Sequence, residues 1–167
     1  FFYATKVWTS GEKEGIKQME ASMQKMKRAT MDLIQVHNLV DYRTHLKTLR
    51  KWKEEGKVRY LGITHYLVSA HDELERIIKS EKPDFVQFNY SIRVRNAEKS
   101  LLDTAHDNGV AVIINEPLEK GGLSNRVSGR QIHERRPEYE IKCGPQIFRK
   151  HSHPHEAMNG VVSRSTE

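Results

Sequence analysis

The sequence predicts an α/β protein in which parallel strands alternate with helices. Two observations carry this. Five apolar, β-rich runs recur along the chain, and a helical pattern fills each gap between them. The runs are FFYATKV (1–7), MDLIQVH (31–37), VRYLGIT (58–64), DFVQFNY (84–90) and VAVIINE (110–116), with starts 30, 27, 26 and 26 residues apart. Near-continuous apolar runs suit strands covered on both faces. Strand–helix units of this length make crossovers, and crossovers make the strands parallel.

Each helix is read from its apolar spacing. Ile16, Met19, Met23 and Met26 fall three or four apart and predict a helix with those residues in the core. In 42–55 the stripe is Leu46, Leu49 and either Trp52 or the stem of Lys53, and Gly56 supplies a stop. In 69–80 Leu74, Ile77 and Ile78 form the stripe, and Ser69 with Asp72 has the spacing of a capping box. In 94–108 the stripe is Ala97, Leu101, Leu102 and Ala105, ended by Gly109. Two architectures fit these units: an open doubly wound sheet or a (β/α) barrel. A complete eight-fold barrel needs about 250 residues, and this chain has 167.

Composition sets the other bounds. The charge is +6, from 28 basic and 22 acidic residues, a mild asymmetry that suits anionic ligands. With one cysteine, Cys143, no internal disulfide forms, and a reducing, cytoplasmic setting is expected. No apolar run reaches the roughly 18–20 residues of a membrane span, so no membrane partner is expected. The N-terminus has no initiator Met and no signal-peptide pattern. It opens in a strand-like run and reads as a piece of a longer or processed chain.

Parallel α/β folds bind ligands at the C-terminal ends of their strands. Five consecutive runs here end in polar side chains: Lys6, His37 with Asn38, Thr64 with His65, Gln87 with Asn89, and Asn115 with Glu116. Taken singly, each has a plain alternative. Lys6 suits a strand edge, His37 a hydrogen-bonded core, Gln87 a structural amide and His65 a loop.

ATKVW, MDLIQVHN, EEGKVRYLGIT, DFVQFNYS and PLEKGGL together resemble successive strands of the aldo-keto reductase family, over residues 1–126. The resemblance implies part of a (β/α)8 TIM barrel without its first two strands. It implies reduction of aldehydes and ketones with NADP(H) or NAD(H), and a small-molecule carbonyl substrate. It assigns catalytic roles to Lys6 and His37. It assigns cofactor binding to Thr64, His65, Gln87, Pro117, Leu118, Gly121 and Arg126.

The family's catalytic Asp and Tyr would precede residue 1, and none of the six tyrosines holds the Tyr position. Without that proton donor a loss of roughly 10²–10⁴-fold in rate is expected. His65 stands where the family has an amide-binding Asn, and Asn115 where it often has a stacking aromatic. Glu167 stands where the family has a basic residue for the 2′-phosphate, which a carboxylate would repel, and Arg164 is one candidate substitute. The rival reading is a non-catalytic, barrel-derived binding or scaffold protein. Open sheet edges would also allow self-association.

The expected division is a partial barrel over 1–126, an irregular polar arm over 127–158 with an optional helix at 144–151, and a strand remnant over 159–167. In HSHPH, His151, His153 and His155 alternate without a Cys or carboxylate cluster, so no metal site is expected. GRQIHERRPEY is basic but carries no nucleic-acid motif, so no nucleic-acid partner is expected. NYS at 89–91 matches a glycosylation acceptor but falls at a strand end and is discounted.

Overall fold

Five parallel strands stand side by side in the order in which the chain makes them. A computed structural model describes residues 1–127, 141–143 and 146–148. The chain falls into two units, 1–128 and 129–167. In the first, the order is β1 (Ala4–Val7), α1 (Glu12–Lys25), β2 (Met31–Val36), α2 (Tyr42–Glu54), β3 (Val58–Thr64), α3 (His71–Glu81), β4 (Phe85–Asn89), α4 (Leu101–Asp107), β5 (Ala111–Asn115) and α5 (Gly122–Val127).

This order decides between the two architectures left open by the sequence. Right-handed crossovers that always step to the next strand put every helix on one face. A doubly wound sheet reverses its order to cover both faces. Here the order never reverses, so the unit is an arc of a (β/α) barrel. None of its helices is long and apolar enough to cross a membrane.

The register separates two kinds of side chain. Val7, Val36, Ile63 and Val86 share one rung, and all four are fully buried. They meet Met19, Leu46, Leu49, Leu74 and Ile78 from the helices, also fully buried. Each such side chain contributes about 1.5–3 kcal/mol by leaving water. The adjacent rung on the opposite face holds Lys6, Gln35, Gly62, Phe85 and Ala111. That face turns toward the barrel interior.

Several local expectations are corrected. The first strand starts at Ala4 rather than Phe1, and Phe1 and Phe2 are exposed. Asp32 accepts the Tyr3 N–H at 2.8 Å and pins the chain just before pairing begins. Ser69 does not cap α3: a 3-10 turn spans Val68–Ala70, and Ala70 sits at the N-cap without a side-chain bond. The helix read over 94–108 is two pieces, a 3-10 turn at Asn96–Lys99 and α4. Between them Ser100 leaves helical geometry and its hydroxyl donates to Glu75 at 2.5 Å. The stripe 97, 101, 105 keeps its period across this break, so periodicity alone does not reveal it. Met19 is buried, but Met23 and Met26 are only partly so.

In the second unit, β6 (Ile141–Cys143) and β7 (Gln146–Phe148) pair antiparallel, with Ile141 opposite Phe148. The optional helix over 144–151 is therefore corrected to a strand at 146–148. Gly144 and Pro145 are both poor helix residues, and the β-branched Ile147 favours a strand. The rest of the polar arm, HSHPH, and the strand expected over 159–167 lie outside the described residues.

Phe88 is fully buried among the helix-facing core residues. Phe88→Ala should cost about 3–5 kcal/mol, read as a lower urea midpoint with an unchanged slope.

Candidate functional site

Parallel pairing brings every strand's C-terminal end to the same rim. Side chains two apart on a strand share a face, so the rim follows from the Lys6–Gln35–Gly62 rung. Two residues beyond Gln35 comes His37, and two beyond Gly62 comes Thr64. Thr64 pairs with Gln87, and Gln87 with Ile113; one step further, Asn89 pairs with Asn115. The interior face thus becomes polar where the strands end.

His37 opens a short 3-10 turn, His37–Leu39, in which Asn38 is left-handed at φ 51°. The Asn38 N–H donates to Thr64 Oγ1 at 3.2 Å. The Thr64 hydroxyl proton is then free for His37 Nδ1, 3.5 Å away. That long contact favours the tautomer with the proton on Nε2. The Trp8 ring packs edge-on against His37, with centroids 5.4 Å apart at 79°. Burial lowers the His37 pKa below the ordinary 6.5, and the nearby Lys6 ammonium and His65 lower it further. Both effects favour the neutral ring, and the Thr64 contact favours its donor at Nε2.

His65 follows β3. Its Nδ1 accepts the Leu67 N–H at 3.2 Å, which again leaves Nε2 as the donor. Its ring stacks on Tyr66 at 5.7 Å. Burial pushes its pKa down; Glu73 opposes this and His71 adds to it. Gln87 Nε2 donates to Asn115 Oδ1, which leaves Gln87 Oε1 as an acceptor. Thr64 is only 2% exposed, so its hydroxyl serves His37 and Asn38.

The loop after β5 carries the other predicted residues. Pro117 and Leu118 are exposed. A 3-10 turn covers Glu119–Gly121, in which Gly121 has φ 90°. Ser91 Oγ donates to Glu119 at 2.8 Å and Arg93 pairs with it at 2.9 Å, tying this loop to the one after β4. Lys120 pairs with Glu116 at 3.1 Å. Arg126 is exposed in the last turn of α5. So Lys6, His37, Thr64, His65 and Gln87 share the rim of the sheet, while Pro117, Leu118, Gly121 and Arg126 lie on the following loop and helix.

Three rim residues escape a strand-end reading. Gln35, 3% exposed, has an Nε2 without a partner among the described residues. Its side chain crosses Gly62, where an added Cβ would lie 3.0 Å from Gln35 Cγ. The signal was available, since Gln35 lies two residues before His37 and beside Lys6. His71 is buried, with Nε2 3.3 Å from Asn89 Oδ1 and Nδ1 without a partner among the described residues. Trp8 follows Lys6 by two residues, but only the fold shows that it touches His37.

An arc of parallel strands with a polar interior rim at the C-terminal ends is the architecture of a TIM-type barrel. The profile of the Aldo/keto reductase family matches residues 1–156, and the chain belongs to that family. An NADH-specific methylglyoxal reductase of Escherichia coli (strain K12) is 35% identical over 80 residues, which are 48% of this chain and 24% of that protein. The holo form of an aldo-keto reductase from Bacillus halodurans superposes with a TM-score of 0.63 at 25% identity, covering 80% of this chain and 45% of that one. An aldo/keto reductase from Brucella melitensis gives 0.57 at 25% identity, over 71% and 48%. The chain spans less than half the length of each of these relatives.

The two depressed histidines weaken the fold in acid. Unfolded, they take protons near pH 6.5; folded, they resist until lower pH, so stability falls as pH drops below about 6.5. Ring NMR should place both midpoints under 6.5. Lys6→Met should raise the His37 midpoint without restoring it fully, because burial is the larger cause. An unmoved midpoint would show that Lys6 does not act on His37.

Proposed function

We propose that this chain forms the nicotinamide- and carbonyl-binding part of a carbonyl reductase that uses NADH or NADPH. One arrangement carries the reading: neutral His37, cationic Lys6, and the amide-matching groups of His65 and Gln87 share one rim. A primary carboxamide needs a donor for its oxygen and an acceptor for its N–H groups. His65 Nε2 and Gln87 Oε1 are such a pair, so His at position 65 still fits the group. The unpartnered Gln35 amide is a further donor on the same face.

The dinucleotide supplies hydride when bound. The chain's residues orient and polarise. His37 Nε2–H would donate to the oxygen of an aldehyde or ketone and the Lys6 ammonium would stabilise the negative charge growing there, until a proton from the family's tyrosine, which is none of the six tyrosines here, completes the alcohol. Neutrality keeps His37 a directional donor instead of a second cation beside Lys6. Pro117, Leu118 and Gly121 shape the loop for the phosphates, and Arg126 offers them a charge. The Escherichia coli relative is named for NADH and methylglyoxal, which makes these the first pair to assay.

Titration followed by nicotinamide fluorescence tests the reading. Enhancement is expected with at least one of NADH and NADPH. Gln87→Leu should weaken it roughly 3- to 10-fold, as loss of a hydrogen bond to a polar ligand does. Absence of binding by both cofactors at high micromolar concentration would overturn the proposal. Binding without methylglyoxal-dependent oxidation of the cofactor would assign the chain to binding alone.

A further inference from the structure

The loop between β1 and α1 is held by three side chains from other elements, each on a different backbone group. Gln18 of α1 accepts the Trp8 N–H at 2.6 Å. His45 of α2 lies 2.7 Å from the Thr9 carbonyl through Nε2, which therefore donates. Asp41, at the N-cap of α2, accepts the Gly11 N–H at 2.8 Å through Oδ2. Its Oδ1 accepts the Thr44 hydroxyl at 2.7 Å.

The geometry of this clamp is demanding. His45 is fully buried, and its Nδ1 has no partner among the described residues. Its ring fits only because residue 15 is glycine: a Cβ there would stand 2.5 Å from Cε1. Gly11 holds φ 85°, a conformation that disfavours side chains. An apolar side chain at 45 would fill the same space without a buried, half-satisfied imidazole. The hydrogen bond to Thr9 is what the histidine adds.

We propose that His45 and Asp41 are positioning residues, which fix the loop so that Trp8 packs against His37. The functional meaning rests on the role given to His37 above; the coupling itself does not. Neither residue touches the rim. They act through Thr9 and Gly11, which flank Ser10 just beyond Trp8, and Trp8 in turn makes a T-shaped contact with the His37 ring. Releasing the loop lets water reach the ring on that side.

The test uses the chain without cofactor, so its failure is separate from failure of cofactor binding. His45→Leu removes the donor, His45→Gln keeps one at similar reach, and Asp41→Ala frees the Gly11 N–H at a half-exposed site. NMR follows the His37 ring and the Trp8 indole, with thermal unfolding recorded in parallel. His45→Leu and Asp41→Ala should shift the Trp8 indole and His37 ring resonances. They should also raise the His37 midpoint toward 6.5, and His45→Gln should restore both. If His45→Leu does not fold, Asp41→Ala decides. An unchanged His37 midpoint in the folded variants would overturn the proposal, as would His45→Gln behaving like His45→Leu.

Discussion

The parallel register of the five strands is the constraint on which the rest depends. Each crossover returns the chain to the same end and advances it by one strand. All five strands therefore finish on one rim, and one parity of side chains faces the helices on every strand. A slip of one residue in β2 would exchange Val36 with Gln35 and turn His37 into the helix layer. The fully buried rung Val7–Val36–Ile63–Val86 makes such a slip costly. The apolar core thus holds the polar rim in register without touching it.

The two faces of the sheet use their residues differently. The helix face buries branched aliphatic side chains against Met19, Leu46 and Leu74. The interior face carries Lys6, Gln35, Thr64, Gln87 and Asn89, and their polar groups pair only in part. A buried amide without a partner, such as that of Gln35, weakens the fold. Under the proposed function a bound ligand would supply the missing partner. His45 is different, since its Nδ1, without a partner among the described residues, lies against Gly15, away from the rim.

Charge is handled mostly outside the core. Asp32 bridges the Tyr3 N–H and Arg59, and the backbone bond is the larger reason its pKa is low. Glu98 gathers Arg95 and the Tyr90 hydroxyl, which lowers its own pKa and raises that of Tyr90. Arg59, Arg95 and Glu98 are exposed, so these pairs fasten local segments more than they stabilise the fold. At the rim burial lowers the pKa of both His37 and His65; the Lys6 ammonium adds to this at His37, whereas Glu73 opposes it at His65.

Much of this was legible in the sequence because it depends on period. Strand runs, helix stripes and the polar residue ending each strand repeat every 26–30 residues, and burial follows such periods. The break at Ser100 was not legible, because the stripe runs on across it. Nor was the false cap at Ser69, since a 3-10 turn and a capped first turn share the same residues. By itself the sequence determined the βα units and which residues stand at the strand ends. Only the tertiary structure chose a barrel arc over a doubly wound sheet, because strand order is a matter of which strands pair. It alone brought Thr64 to His37 Nδ1 and joined Trp8 to His45 through Thr9, because those contacts link residues some 30 positions apart and no local period encodes them.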